Sequence, residues 1–225
     1  MGSQGWKEDL EKVLSDWGIR PPSNFFSQLE IYLQEILAYS RRVRLTASED
    51  PREIALRHFA DALAPLSWLK ERFPQGTALL DLGSGAGFVG LTLKLAWPDC
   101  PVVLLESSRK KHAFLDWMIS RLKLKETQAL WARAEGKARL QPFRDYEVAL
   151  ERALAPLPLA LEWGTPWVRA EGYFLAFQGS REVPRRAAGE EKSPLIFAGT
   201  IPYVIRGIGF EGQIFIYRKR ENRCI

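Results

Sequence analysis

Residues 79–90 read Leu79-Leu80-Asp81-Leu82-Gly83-Ser84-Gly85-Ala86-Gly87-Phe88-Val89-Gly90, and this stretch decides the fold of the chain. A short apolar run ends on an acidic residue, three glycines follow at every second position, and residues 91–96 have a helical pattern. The order predicted is therefore strand, glycine turn, helix. Glycines allow the backbone to turn sharply and to approach a ligand closely, so the turn is predicted to be a small-molecule site.

Two classes of ligand compete for this turn. Residues 85–90 match G-x-G-x-x-G, which is typical of dinucleotide sites, whereas the stretch from Asp81 matches D-x-G-x-G-x-G, which is typical of S-adenosylmethionine-dependent methyltransferases. A pyrophosphate over the turn would face the Asp81 carboxylate. S-adenosylmethionine (SAM) instead brings an ammonium and a sulfonium, which a carboxylate attracts. The electrostatics favour SAM.

The composition is that of an ordinary globular protein. The chain has 225 residues, of which 46% are hydrophobic and 26% charged, enough for one α/β core with an accessory element. No apolar run approaches the roughly 18 residues of a membrane span, and the first ten residues lack a signal-peptide core. The two cysteines, Cys100 and Cys224, form neither a metal motif nor a disulfide scaffold. We expect a cytoplasmic protein without a metal site or a membrane partner.

The periodicity divides the chain into a helical part and an α/β part. Helical patterns cover residues 6–17 and 25–40, and Asp50 followed by Pro51 predicts the start of a third helix. Residues 1–75 are therefore predicted to be an N-terminal helical cap, and residues 76–225 a SAM-binding α/β domain. Strands are predicted at 77–82, 101–106, 127–131, 146–150 and 172–177, helices at 110–124 and 155–168, and a closing hairpin at 194–208 and 213–218.

Such alternation predicts a mostly parallel, Rossmann-like seven-stranded sheet with flanking helices and a C-terminal antiparallel hairpin. Residues 181–193 have the most loop-like composition.

In such a sheet the ligand lies at the carboxyl ends of the strands. Glu106 ends the second strand, about 20 residues after the turn, where a carboxylate can accept both ribose hydroxyls. The segment Ala134-Glu135 follows the third strand and is suited to hold an adenine ring. Arg152 follows the fourth and is expected to bind the methionine carboxylate or an RNA phosphate, unless it forms only a surface salt bridge. The predicted cofactor site is completed by Asp81, Gly83, Ser84, Gly85, Gly87, Phe88, Ser107 and Ser108.

Positive charge is concentrated after the second strand. The net charge is +5, but residues 107–144 contain ten lysines and arginines against three acidic residues. A polyanionic partner would explain this excess, although helices with a solvated basic face would show it too. The candidate RNA-binding residues are Arg41, Arg42, Arg44, Arg109, Lys110 and Lys111.

Five motifs together resemble the bacterial small-subunit ribosomal RNA guanine-N7 methyltransferase family, known as RsmG or GidB. They are the glycine turn, Arg57-His58-Phe59-x-Asp61-x-Leu63, Glu106-x-x-Arg109-Lys110-Lys111-x-x-Phe114, Arg133-Ala134-Glu135 and Glu151-Arg152-Ala153. The resemblance runs from about Phe25 to Tyr217. It implies a class I methyltransferase that transfers a methyl group from SAM to N7 of a guanine in 16S ribosomal RNA, leaving S-adenosylhomocysteine. It also implies that 16S ribosomal RNA or a small-subunit assembly intermediate is the partner, and we expect a monomer.

Attack by a guanine N7 lone pair needs no general base, so no catalytic nucleophile is predicted. His58 and Asp61, three residues apart on one helical face, are candidates for the guanine pocket, with a purely structural pair as the alternative. Three positions depart from the family: Arg44 replaces Asn, Gln178 replaces Lys, and Gln213-Ile214 replaces Arg-His. These departures leave open a SAM-dependent methyltransferase with another substrate, or a SAM- or nucleotide-binding homologue without catalysis.

Overall fold

One mixed sheet forms the centre of the molecule. The computed structural model describes residues 5–135, 145–179 and 194–221. Seven strands are found in these ranges: β1 (Leu79–Leu82), β2 (Val102–Glu106), β3 (Thr127–Trp131), β4 (Tyr146–Arg152), β5 (Val168–Gly179), β6 (Leu195–Ile205) and β7 (Phe210–Lys219). Their order is β3-β2-β1-β4-β5-β7-β6; β1 to β5 are parallel, and β7 is antiparallel to both of its neighbours. The predicted fold class is confirmed.

Side chains alternate between the two faces of the sheet, because successive residues of a strand point in opposite directions. Leu79, Val102 and Leu104 belong to one hydrophobic cluster, whereas Leu80 and Val103 belong to the other. The first cluster contains the helices α6 (Phe88–Ala96) and α7 (Arg109–Arg121) and the second contains α8 (Leu157–Gly164). Helices therefore cover both faces, and the carboxyl ends of the parallel strands share one edge.

The N-terminal helices pack on the face that α6 and α7 cover. They are α1 (Gly5–Asp16), α2 (Phe25–Ser40), α3 (Pro51–Ile54), a π-helical turn (Ala55–Ala60), α4 (Asp61–Leu63) and α5 (Leu66–Arg72). As predicted, α3 begins with Pro51 after a capping aspartate: the Asp50 carboxylate accepts a hydrogen bond from Arg52 N at 2.9 Å. Among the helices of the described ranges, none combines the length and apolarity that crossing a bilayer requires.

Several element boundaries differ from the sequence expectation. The helix after the glycine turn begins at Phe88 rather than Leu91, because Gly87 with φ +84° leads directly into it. The helix expected over residues 155–168 is shorter: Pro166 lies in a 3-10 turn (Thr165–Trp167), and β5 starts directly afterwards. The loop-like segment 181–193 lies outside the described residues.

Candidate cofactor and substrate site

The glycine turn presents open backbone at Gly85. This residue has φ +60°, and a Cβ added to it would meet nothing nearer than the Gly83 carbonyl oxygen at 3.9 Å. Gly90, by contrast, lies where α6 crosses the sheet, and a Cβ there would be 2.3 Å from a Leu104 methyl carbon. One glycine of the motif therefore leaves room for a ligand, while the other permits close helix packing.

The Glu106 carboxylate connects the turn to the next strand. Its Oε2 accepts a hydrogen bond from Gly85 N at 2.8 Å, and its Oε1 accepts one from Ser108 N at 2.6 Å. Each carboxylate oxygen has capacity for a second donor, so a diol can still bind. The structure thus brings together Gly85, Glu106 and Ser108, and their contact with a cofactor stays a prediction.

Asp81 supports the turn from the side of α6. It is 2% exposed, and its Oδ2 accepts a hydrogen bond from Gly90 N at 2.9 Å. Ser84 Oγ donates to the Asp81 carbonyl oxygen at 2.8 Å, which tightens the same turn. Burial raises the pKa of Asp81 to about 6. Direct contact between this carboxylate and a cofactor stays a prediction, and its observed hydrogen bond fixes the start of α6.

A polar cluster joins the cap to the carboxyl end of β4. Arg152 Nη1 donates to Asp61 Oδ2 at 2.8 Å, and Arg152 Nη2 lies 3.4 Å from His58 Nδ1. The His58 ring stacks on the Phe88 ring with centroids 4.1 Å apart, and the Arg152 guanidinium lies 5.5 Å from the Phe88 centroid. Phe88 directly follows the glycine turn, so the cap residues predicted to shape a guanine pocket border the predicted cofactor site.

The hydrogen bonds of His58 indicate which ring nitrogen carries the proton in the neutral imidazole. A guanidinium can only donate, so Nδ1 is the acceptor, and the ring proton lies on Nε2, which faces Thr46 Oγ1 at 3.3 Å. Burial, with Arg152 and Arg57 nearby, lowers the pKa of His58 to about 3. The imidazole is therefore uncharged at neutral pH.

Arg152 has a different observed partner from those expected. The sequence predicted a cofactor carboxylate or an RNA phosphate, with a surface salt bridge as the alternative. Its guanidinium instead pairs with Asp61, and the side chains of Arg152 and Asp61 are 20% and 8% exposed. Its contact with a ligand stays a prediction, and the pair it forms holds the cap against β4.

Three residues of this region were not predicted as site residues. The Tyr203 hydroxyl on β6 hydrogen-bonds to Asp61 Oδ1, and the Tyr32 hydroxyl donates to the Ala86 carbonyl oxygen of the glycine turn at 2.6 Å. Thr46 contacts His58 as described. Tyr32 lies in the helical pattern predicted over residues 25–40, where only its hydroxyl distinguishes it from the apolar residues of that helix.

The residues after β3 lie partly in the core. Ala134 is 4% exposed in the cluster on the α8 face, and its carbonyl oxygen accepts a hydrogen bond from Trp167 Nε1 at 2.9 Å. Glu135 pairs with Arg133 at 3.2 Å on the surface. Ala132, the first residue of this segment, donates its N–H to the Glu106 carbonyl oxygen at 3.1 Å, and an adenine contact stays a prediction.

The predicted basic residues come from two segments that the fold brings close. The Tyr39 hydroxyl, near the end of α2, donates to the Lys110 carbonyl oxygen at 3.4 Å, and the Tyr39 and Phe114 rings lie 4.9 Å apart. The end of α2 therefore lies beside the start of α7. Exposed side chains in these segments are Arg41, Arg42, Arg44, Arg109 and Lys110, with Lys111 half-buried.

Sequence comparisons identify close relatives. A family model described as GidB, rRNA small subunit methyltransferase G, matches residues 26–204. A protein of Roseiflexus castenholzii named Ribosomal RNA small subunit methyltransferase G is 40% identical over 175 residues, which cover 77% of this chain and 73% of that protein. A Moorella thermoacetica protein of the same name is 37% identical over 176 residues, covering 76% and 72%.

Solved structures share the architecture at low sequence identity. A SAM dependent methyltransferase from Aquifex aeolicus has a TM-score of 0.53 at 17% identity, covering 76% of this chain and 98% of the other. The Burkholderia thailandensis 1,6-didemethyltoxoflavin-N1-methyltransferase has a TM-score of 0.55 at 12% identity, covering 90% and 92%. These similarities confirm the class I methyltransferase fold.

Proposed function

The chain belongs to the rRNA small subunit methyltransferase G family, and from this premise we propose that it transfers a methyl group from SAM to N7 of a guanine in 16S ribosomal RNA. The observation that carries the proposal is the contact between the predicted cofactor turn and the predicted guanine pocket. Phe88, directly after the predicted cofactor turn, stacks on His58 of the predicted guanine pocket. A methyl donor on the turn and a base beside His58 would therefore be neighbours.

The residues of the turn fit SAM. Open space at Gly85 leaves room for the ligand, and Glu106 can accept ribose hydroxyls beside the two amides that it already binds. When bound, SAM supplies an electrophilic methyl group on a sulfonium. Asp81 adds a buried carboxylate whose hydrogen bond to Gly90 N holds the turn in shape.

The residues around His58 suit a reaction without a general base. The guanine N7 lone pair attacks the methyl carbon, the carbon–sulfur bond breaks, and the positive charge passes from sulfur to the purine ring. A neutral His58 adds no positive charge near that ring, and the Asp61 carboxylate, held by Arg152 and Tyr203, is fixed in place. The protein contributes alignment, a water-poor pocket and electrostatic positioning.

The proposed partner is 16S ribosomal RNA or a small-subunit assembly intermediate, bound by a monomer in the cytoplasm. Exposed cations at the end of α2 and the start of α7 support this partner, because phosphate contacts supply much of the affinity for nucleic acids.

A different methyl acceptor is the second candidate, and one observation favours it. Gln178 and Gln213, two positions that depart from the family, are directly paired across β5 and β7. Gln178 Nε2 donates to Glu151 Oε1 at 3.4 Å, and Gln213 Nε2 donates to the Gly179 carbonyl oxygen at 3.0 Å. This chain therefore has two adjacent neutral amides where the family usually has cations. Neutral amides would attract an RNA phosphate at this position less strongly than cations.

An assay with SAM labelled on its methyl group separates these candidates. The acceptors are 16S ribosomal RNA, small-subunit particles, guanosine nucleotides and protein, and the variant Gly85→Arg serves as the inactive control. We expect the label in 16S ribosomal RNA. Treatment with borohydride and aniline, which cleaves RNA at N7-methylguanine, should then break the strand at the methylated nucleotide. Label in another acceptor supports the second candidate, and SAM binding without transfer to any acceptor supports a binding protein.

A further inference from the structure

Trp131 is an exposed aromatic side chain beside the predicted cofactor site. It ends β3, is paired in register with Glu106 of β2, and is 59% exposed, the highest value among the large apolar side chains of the described residues. A single exposed apolar residue is common on protein surfaces. Trp131 differs from such residues in the contacts that its indole makes.

The indole is held in a fixed orientation. Its Nε1 donates to the Ser107 carbonyl oxygen at 2.9 Å, which fixes the ring against the loop that follows Glu106. The Arg109 guanidinium lies 5.6 Å from the ring centroid, within the range of a cation–π contact. Because the ring is already ordered, little conformational entropy remains to be lost when a planar ligand stacks on it.

The charge around Trp131 matches a polyanion. Arg109 and Lys110 begin α7 with exposed side chains. Arg133 lies two residues after the indole with its side chain 76% exposed, and it is paired with Glu135 at 3.2 Å. An aromatic ring among cations is the arrangement by which proteins bind single-stranded nucleic acid, with bases stacked on rings and phosphates beside cations. A duplex offers no free base face, so the fitting ligand is an unpaired nucleotide.

We propose that Trp131 is a stacking platform for an unpaired base of the RNA substrate, with Arg109 holding the indole and neighbouring cations contacting phosphates. The proposal rests on the proposed function, and it adds a base-binding residue at the sheet edge beside the cofactor turn. Since Ser107 directly follows Glu106, the stacked base would lie beside the ribose end of the predicted cofactor site. The site would recognise an unpaired stretch without selecting its sequence, because every base has a stacking face.

The test compares Trp131→Ala, Trp131→Phe and the control Trp117→Ala. Trp117 is another exposed tryptophan, on α7, but its Nε1 donates to the acidic Glu35 at 3.1 Å, an unfavourable place for RNA. The probes are a fluorescein-labelled single-stranded RNA 12-mer and its duplex, measured by anisotropy at fixed salt, and S-adenosylhomocysteine, measured by calorimetry.

We expect Trp131→Ala to weaken single-stranded RNA binding by about 5- to 100-fold, the range observed when aromatic stacking partners are removed. Trp131→Phe keeps a ring and should stay within about threefold of the parent, and Trp117→Ala should match the parent. The slope of log K against log salt should be unchanged, since no phosphate contact is lost.

Unchanged single-stranded affinity in Trp131→Ala overturns this inference alone. So does an equal loss for duplex RNA, or a selective loss of S-adenosylhomocysteine binding, which would place the indole at the adenine. A parent protein that binds neither RNA probe nor methylates 16S ribosomal RNA overturns the inference together with the proposed function.

Discussion

His58 is half-buried and Asp81 is buried, and the pKa values of these two residues move in opposite directions. Burial lowers the pKa of His58 from 6.5 to about 3 and raises that of Asp81 from 3.8 to about 6. Unfolding at pH 5 therefore adds a proton at His58 and releases one from Asp81. The stability supplied by neutral His58 is present above pH 6.5 and is lost as pH falls toward 3, whereas the stability supplied by protonated Asp81 is present below pH 3.8 and is lost as pH rises through 6.

Because the two shifts are opposite, we expect the contributions of His58 and Asp81 to the pH dependence of the unfolding free energy to cancel largely in the parent protein. Relative to His58→Gln, the parent should lose up to about 1.4 kcal/mol of unfolding free energy per pH unit as pH falls from 6 to 4. Relative to Asp81→Asn, which keeps an acceptor for Gly90 N, the parent should gain by a similar amount over the same range. Urea denaturation at pH 4, 5, 6 and 7 measures both differences, and parallel curves for parent and variants would contradict the prediction.

Gly85 gives a second prediction at this scale. Gly85→Arg should abolish S-adenosylhomocysteine binding measured by calorimetry, because a long cationic side chain would fill the open space of the turn. Gly209→Arg is the matched control, since Gly209 has nearly the same φ, +59°, and equally open surroundings. The backbone strain is therefore similar in both, and only the first should lose the ligand. Normal binding by Gly85→Arg would show that the cofactor lies elsewhere.

Individual elements show what the sequence could and could not predict. The strand, glycine turn and helix around Asp81 were predictable because each is encoded within a dozen contiguous residues. The π-helical turn that carries His58 was not, since it adds a residue per turn without a local sequence sign. The pairing of Arg152 with Asp61 was also out of reach, because it joins residues 91 positions apart through the packing of the cap on β4.

Element α7 carries the next prediction. Replacing Arg109, Lys110 and Lys111 by Ala should reduce the slope of log K against log salt for RNA by about two to three, because each lost phosphate contact removes roughly 0.7 to 0.9 of a released counterion. Anisotropy titrations between 50 and 300 mM salt measure the slope, and S-adenosylhomocysteine affinity should be nearly unchanged.

The control for this triple variant replaces three exposed lysines away from the start of α7: Lys12 on α1, Lys70 on α5 and Lys125 in the turn before β3. It removes the same charge without touching the start of α7, so its slope should stay near that of the parent. Equal slopes for the two triple variants would mean that the start of α7 is only a solvated basic surface.

At the scale of the whole molecule, the cap and the sheet share one core. Leu63 of α4 and Leu104 of β2 belong to the same hydrophobic cluster. Asp61 adds a polar connection, because it is bound both by Arg152 of β4 and by Tyr203 of β6. We propose that residues 1–75, the cap, and residues 76–225, the α/β domain, are two parts of the fold that unfold together in one cooperative transition.

A double-mutant cycle on Asp61 and Arg152 tests this connection. Asp61→Asn and Arg152→Gln should each cost about 3 kcal/mol of unfolding free energy, because each leaves a largely buried partner charge without its counter-ion. The double variant should cost less than both together, with a coupling on the order of 0.5 to 3 kcal/mol. The control cycle on Lys7 and Glu30, an ion pair of 2.7 Å with side chains 29% and 32% exposed, should give a coupling of less than about 1 kcal/mol.

Circular dichroism and tryptophan fluorescence should follow a single urea transition in every variant, since the shared core makes cap and sheet cooperative. Additive costs at Asp61 and Arg152 would show that the pair does not connect the cap to β4, and separate transitions for the two probes would show that cap and sheet unfold independently.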